Sequence, residues 1–434
     1  MPTLQPRPPT GIASGEAVPP TRVRHRVLAL AVCMAAITYL DRVCISITAP
    51  QMMSDLSLSP LQMSLVFSAF TTAYGIFEIP TGWWGDRIGT RRVLTRIVAW
   101  WSTFTIATAA ATSYASLLII RFLFGMGEAG AWPNAARTFS RWFPLTERGT
   151  AQGIFFMGAH LGGGLTPLLV TALLAHVHWR AVFVIFGLVG FVWAWAWYRW
   201  FRDDPSEHHA INEAELEHIR RNRLEESAAG DPVPWKRLLK SRSVIALCLM
   251  YFTQTYGFYF YITWFPTYLK NQGFTATVLS LLSGLPLMLS VLADLLGGVT
   301  TDAISKRWGL RVGRCGVGGA ALALAGLAIL GSAACPYPLV SALLISVAGA
   351  SANFLLGASW GVCLDIAGSH AGVVSGCMNT AGQVGGTLSP VVVALVFSRF
   401  GTWTAPLYLT GILYLLGSTC WWFVHPNDRI EVTR

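Results

Sequence analysis

The sequence predicts an all-α membrane protein: twelve transmembrane helices in two parallel six-helix pseudo-repeats around a central cavity. Three observations carry that prediction. Of the 434 residues, 53% are hydrophobic and 12% charged, with a mean hydropathy of +0.51, against roughly 25% charged residues in an average soluble domain. A helix needs about 20 mostly apolar residues to cross the hydrocarbon core, and twelve stretches fit that template. Two separate motifs also recur about half a chain apart.

Taken in order, residues 1–21 are rich in Pro, Gly, Ser and Thr and are expected to be a disordered cytoplasmic N-terminus. Arg22, Arg24 and Arg26 precede an apolar run that is too long for a cleaved leader and lacks a small-residue cleavage site, so it is an uncleaved first span. The spans fall near 27–49, 63–84, 93–111, 115–136, 150–175, 181–201, 244–269, 277–299, 312–334, 338–363, 371–397 and 405–424. Lys and Arg concentrate on one side of this arrangement, leaving only Arg180, Lys270 and Arg399 on the other. By the positive-inside rule both termini are cytoplasmic, in a cell (inner) membrane. The chain then divides into a six-helix half (22–201), a cytoplasmic loop (202–243), a second six-helix half (244–426) and a cytoplasmic tail (427–434). Within the loop, Ile211 to Ile219 reads as a short surface helix with an Asn212 N-cap and an acidic first turn, part of a solvated linker.

The repeat sets the architecture. Gly82-x3-Asp86-Arg87-x-Gly89-x-Arg91-Arg92, after span two, returns in weaker form as Gly298-x3-Asp302 with Lys306, Arg307 and Arg311, after span eight. Gly158-Ala-His-Leu-Gly-Gly-Gly-Leu-Thr-Pro167 in span five aligns without gaps to Ala381-Gly-Gln-Val-Gly-Gly-Thr-Leu-Ser-Pro390 in span eleven. The step from Asp86 to Asp302 and the step from Pro167 to Pro390 are nearly equal, and each is close to half the chain. Six spans separate the copies. That even number keeps one topology in both halves, which are related by an axis along the membrane normal.

Twelve spans in two parallel halves, a long central loop and the Gly82–Arg92 motif resemble the major facilitator superfamily. Tyr39-Leu-Asp-Arg42, Tyr74, Arg121-x6-Glu128, Thr263-Trp-Phe-Pro266 and Asn379-Thr-Ala-Gly-Gln-Val-Gly-Gly386 are similar to its anion:cation symporter family, which includes bacterial galactonate, glucarate and hexuronate transporters and vesicular organic-anion carriers. The resemblance covers Arg22 to Asp428. It implies proton-driven uptake of an organic anion, with Asp41 and Glu128 as proton carriers and Arg42 near the substrate carboxylate. It also implies a cytoplasmic gate latch at Asp86 with Arg87, Arg91 and Arg92, echoed by Asp302. Where galactonate-like members place a glutamine in span five, this chain has Ala159 followed by His160.

The residues carry a physical argument of their own. A full charge at the centre of a membrane helix is unfavourable by roughly 2.5–3.5 kcal/mol, so it persists with a task or a partner. Arg121 and Glu128 are seven residues apart, hence on one face but about 10.5 Å apart along the axis, too far to pair. With span one leaving near Thr48 and span four entering near Ala115, Asp41 and Arg121 fall at similar depth. They are expected to form an ion pair, with Glu128 about two turns deeper. Such a pair could simply staple two helices; Arg42 and Glu128, left over, point to a substrate and proton path instead. Adjacent residues diverge by about 100°, so Asp41 is expected as the proton switch held by Arg121 and Arg42 as the carboxylate anchor. An arriving carboxylate would compete for Arg42 or Arg121.

The cavity wall is expected to include Tyr39, Tyr74, Tyr261, Thr263, Ser359, Trp360, Asn379 and Gln383, with packing or interfacial roles an equal fit for each aromatic. His160 matches Gln383 through the repeat, and substrate contact, proton relay and plain helix–helix hydrogen bonding fit it equally. Glu78 and Asp294 are expected in charge networks at the inner face. The glycine runs and Pro167 and Pro390 fit close helix approach.

Several classes are excluded. The basic residues alternate with spans rather than forming a nucleic-acid face. No HExxH or metal-ligand spacing is present, and the eight cysteines, all isolated, are expected as small buried hydrophobes. An enzyme is therefore not expected, nor a cofactor beyond the proton as coupling ion. A channel conflicts with charges confined to the first half. The substrate is expected to be a sugar acid (hexonate, hexarate or hexuronate) and the protein a monomer in contact with lipids. An exchanger or uniporter, or a carrier of aromatic carboxylates, is the alternative.

Overall fold

In the computed structural model, which describes residues 19–221, 233–428 and 430, all regular structure among those residues is helical. The disorder expected for the N-terminus falls mainly on residues 1–18, outside the described residues, as do 222–232 of the loop and most of the 427–434 tail. The first half holds α1 (Val23–Asp55), α2 (Pro60–Ile88), α3 (Thr90–Ala109), α4 (Tyr114–Glu128) continued by α5 (Ala131–Trp142), α6 (Arg148–Leu174) and α7 (Trp179–Trp200). In the loop lie α8 (Glu213–Arg221) and α9 (Trp235–Lys240). The second half holds α10 (Arg242–Thr263) continued by α11 (Phe265–Asn271), α12 (Ala276–Trp308), α13 (Val317–Ala334), α14 (Pro338–Phe354) continued by α15 (Leu356–Ala367), α16 (Ala371–Phe400) and α17 (Thr404–Cys420). With each broken pair counted as one crossing, these are the twelve predicted spans.

Among the described residues, by length and hydropathy alone, seven helical segments qualify as spans, one of which, Pro338–Phe400, holds two in tandem. The others fall short for local reasons. Helix α17 has only 17 residues, and α3 opens on Arg91, Arg92 and Arg96. Helices α2 and α10 interleave Thr, Gly, Gln and Tyr with their apolar residues.

Two departures from the predicted boundaries position the site. Helix α1 does not stop near Ala49 but runs on through Pro50 to Asp55; a proline inside a membrane helix is tolerated where neighbouring helices satisfy the freed backbone. Span four breaks after Glu128, because Gly130 adopts φ +84. That left-handed conformation favours glycine, and a Cβ on Gly130 would lie 2.6 Å from the Cβ of Thr81. The break makes Glu128 the last residue of α4.

The halves meet along two matching seams, α2 against α16 and α6 against α12. Lipid tails supply no hydrophobic drive between helices, so close packing of small residues does the joining. Gly82 faces Gly372 so tightly that a Cβ on Gly82 would lie 2.5 Å from the Gly372 carbonyl oxygen. The loop departs from a purely solvated linker. Asn212 does cap α8, accepting from the Glu215 N–H at 3.0 Å. Glu215, however, is fully buried and accepts from the Thr21 hydroxyl (2.6 Å) and the Val23 N–H (2.9 Å), tying α8 to the start of α1.

Candidate binding cavity and its gate

Between the halves lies a cavity of about 90 Å³ lined by Tyr39, Arg42, Trp132, Phe156 and His160 from the first half and by Tyr251, Gln254, Thr255, Phe258, Tyr259, Asn353, Leu356, Trp360, Asn379 and Gln383 from the second. Of the expected wall residues, Tyr39, His160, Trp360, Asn379 and Gln383 therefore reach it, besides Arg42. The rest do not. Tyr74 is buried behind Arg42, whose guanidinium carbon stands 4.6 Å from its ring centroid. Thr263 sits exposed at the end of α10, donating to the Tyr259 carbonyl. Ser359 is buried outside the cavity wall and donates to the Leu356 carbonyl at 3.1 Å. Arg121 is buried over the Phe124 ring at 4.3 Å. Tyr261 faces α17, accepting from the Tyr414 hydroxyl at 3.2 Å.

The expected Asp41–Arg121 ion pair does not form. Among the described residues, Arg42 pairs with Glu128 instead, and neither carboxylate oxygen of Asp41 has a hydrogen-bond partner. The extra length of α1 is the reason. Arg42 lies thirteen residues below the end of α1 and Glu128 fourteen below the start of α4, so both sit about 20 Å down, at 1.5 Å per residue. Arg121 is only half as deep. Asp41 instead lies near Trp101 of the first half, whose indole N–H has no hydrogen-bond partner.

Sequence reasoning missed much of the second half's wall, Gln254 and Asn353 above all. Gln254 donates to Asn353 at 3.0 Å, and Asn353 donates to Ser290 at 2.7 Å, forming a polar chain across α10, α14 and α12. Its signal was present: amides in the middle of otherwise apolar spans rarely stand there without a partner.

Two more buried acids lie at the seams rather than at the inner face where charge networks were expected. Glu78 accepts from Asn379 at 2.5 Å and from Tyr74 at 3.2 Å. Asp294 meets His160 Nδ1 at 2.6 Å. Asp294 follows Glu78 by the same interval that separates Asp302 from Asp86. The two acids are therefore one position in the two repeats, each bonded across to the other half.

Beyond them, on the face that carries the termini, lie the residues of the expected gate. Asp86 accepts from the backbone N–H groups of Gly372 and Val373, both at 2.9 Å. Asp302 accepts from those of Gly149 (3.1 Å) and Thr150 (2.5 Å). Each aspartate thus caps the N-terminus of a helix in the opposite half, where free N–H groups and the helix dipole favour an anion. The cations are not those expected. Arg137 holds Asp86 at 2.7 Å and donates to the Ser369 carbonyl at 2.5 Å, while Arg314 holds Asp302 at 2.7 Å. Arg148 reaches Asp365 across the seam at 3.4 Å. Arg87 lies exposed near Trp83, Arg91 binds the Tyr198 carbonyl within its own half, and Arg92 is exposed.

The comparisons with known proteins agree with this architecture. The Major Facilitator Superfamily profile matches residues 31–390. The chain is 35% identical over 418 residues to a probable sulfoacetate transporter, SauU, of Cupriavidus necator, covering 94% of this chain and 96% of that one. It is 30% identical to the hexuronate transporter of Bacillus subtilis, covering 88% and 90%. Among solved structures, the proton:xylose symporter XylE superposes with a TM-score of 0.73 at 14% identity over 92% of this chain and 95% of that one, a likeness of fold. The chain is a member of the Major Facilitator Superfamily, a membrane transporter rather than an enzyme.

Proposed function

We propose that the protein is a proton-coupled symporter importing an organic anion by alternating access, with both termini in the cytoplasm and the cavity presented to the outside while the gate is shut. The observation that carries this reading is the Arg42 guanidinium. It lines the cavity, yet it is held from behind by Glu128, fully buried in the same half. An anion entering the cavity competes for Arg42. Glu128, deprived of its counter-charge in a low dielectric, then takes a proton instead of standing as a bare buried carboxylate. Asp41, one residue away and without a hydrogen-bond donor, offers a second proton site on the same helix.

Charge arithmetic supports more than one proton. Importing a monoanion against a negative interior is unfavourable by about 2.3 kcal/mol per 100 mV; one proton cancels that, and a second lets the voltage drive accumulation. For the substrate, a sugar acid is supported by relatives named for hexuronate and for galactarate/D-glucarate and by the amides of Gln254, Asn379 and Gln383 at the cavity, suited to hydroxyl groups. A second reading, a compact sulfonated acid, is favoured by the small cavity, with room for roughly six to nine waters, and by the relative named for sulfoacetate.

The test is uptake of radiolabelled D-glucuronate, D-galactarate and sulfoacetate into proteoliposomes with an acid exterior. At least one is expected to accumulate with the proton gradient, and Asp41→Asn and Glu128→Gln to abolish accumulation. Full gradient-driven accumulation in both variants would sink the symport reading.

A further inference from the structure

Of the acid–base contacts that surround the cavity, Arg42–Glu128 lies within one half, so rocking of the halves leaves it intact. Glu78–Asn379 crosses the seam, but an amide does not titrate. His160–Asp294 is different: it crosses the α6–α12 seam, both partners bind protons, and His160 also lines the cavity. Asp294 has no exposure and its second oxygen, Oδ1, has no hydrogen-bond partner. The other titratable or charged groups around the pair are few. From α1, Tyr39 sets its ring edge-on to His160 at 5.8 Å, and Arg42 shares the cavity. From α10 come Tyr259, also at the cavity, and the apolar Phe258, 6.1 Å from the histidine ring. Helices α14 and α15 contribute Asn353 and Trp360, neither of which titrates.

We infer that His160 and Asp294 form a proton site built across the two halves, which holds one proton while the gate is shut and releases it to the termini face when the gate opens. The inference rests on the rocking of halves proposed above. In the shut state the proton makes an imidazolium whose Nδ1–H donates to Asp294 Oδ2. The pair is then neutral overall, and the imidazolium presents Nε2–H to an anion in the cavity. Opening draws α6 from α12, the hydrogen bond breaks, and the proton passes to entering water, leaving a neutral imidazole and a hydrated carboxylate. Splitting the charged pair without losing the proton would strand two buried charges, the unfavourable outcome for a buried ion pair. Because the shut state binds the proton, low pH favours the shut gate and rising pH opens it, by up to about tenfold per pH unit for one proton.

The test needs no substrate, so it fails or succeeds independently of whether symport is the right reading. Spin labels are placed at Ile88→Cys and Trp308→Cys, exposed at the ends of α2 and α12 on the termini face, in a background with the native cysteines replaced. Their distance distribution is then measured in lipid nanodiscs from pH 5.5 to 8.5. The otherwise wild-type protein is expected to shift toward longer distances as pH rises, with the ratio of open to shut changing about tenfold or more across the range. In His160→Gln and in Asp294→Asn that change is expected to fall to about threefold or less, and either variant suffices if the other does not fold. A label distance independent of pH in the wild-type background, or an undiminished shift in the variants, overturns the inference.

Discussion

Arg42 and Glu128 act as one unit because depth, not sequence spacing, chose the partners. Four charged residues in spans one and four were legible from the chain alone, as was their convergence on one region. Their pairing was not, because it depends on where α1 ends, and a helix that continues through Pro50 looks like a terminated one in hydropathy. The pairing has a measurable consequence. Replacing Arg42 by Ala strands the fully buried Glu128, and loss of one partner of a buried pair destabilises by about 3 kcal/mol or somewhat more. The double variant Arg42→Ala/Glu128→Ala removes both charges. In detergent, by denaturant unfolding, it is expected to recover about 1–3 kcal/mol relative to the sum of the singles. The same cycle on Asp41 and Arg121 is expected to come out near zero. Additive losses at Arg42 and Glu128, or a strong coupling between Asp41 and Arg121, would show the partners to be exchanged.

At the scale of elements, α8 shows how a segment that reads as solvated linker becomes part of the frame. Burial pushes the Glu215 carboxyl up, but the Thr21 hydroxyl, the Val23 and Arg24 amides and the Arg24 guanidinium together hold it below the ordinary carboxylate value. A group depressed on folding contributes stability above its unfolded value, about 4.3 for glutamate, and loses it as pH falls through the folded one. Amide exchange over 21–26 and 213–221, corrected for intrinsic rates, is therefore expected to be slow at pH 7 and to quicken on acidification. Glu215→Gln should be fast at both, and protection in the wild type that ignores pH would rule out this anchor. The spans themselves were legible because twenty apolar residues in lipid have few alternatives to a helix. The breaks after Glu128 and Phe354 were not, since Gly130 sits in a run that hydropathy treats as continuous. Nor was the docking of α8, which depends on Thr21, a residue 191 positions away from Asn212.

At the scale of the whole molecule, the pair of aspartate caps between the halves follows from the repeat. Asp302 is the repeat partner of Asp86, and Gly372 follows Gly149 by the same interval that separates Pro390 from Pro167. Each half therefore inserts one aspartate into the N-terminus of the other half's helix, α16 or α6. The repeat shows that two such aspartates exist. It does not reveal their cations, because Arg137 stands 51 residues after Asp86 and Arg314 only 12 after Asp302, so the guanidinium partners break the symmetry and come from different elements. Each carboxylate contributes the interaction of an anion with a helix N-terminus, up to about 2 kcal/mol when partly buried, and in the proposed alternating access does so only while the gate is shut. Removing the charge without changing shape therefore shifts the equilibrium toward the open gate, by roughly tenfold for each 1.4 kcal/mol. Ser369→Cys, at a side chain 9% exposed beside the Arg137 contact, reports that opening by its rate of labelling with a membrane-impermeant maleimide applied from the termini face, again with the native cysteines replaced. Asp86→Asn and Asp302→Asn are each expected to raise the labelling rate, by about threefold to thirtyfold. The double variant should approach the product of the two, because the aspartates act on separate seams that open in the same movement. If one substitution alone gave the whole effect and the second added nothing, the two caps would not share the closing of one gate, and the pseudo-symmetric reading of the two halves would fail with them.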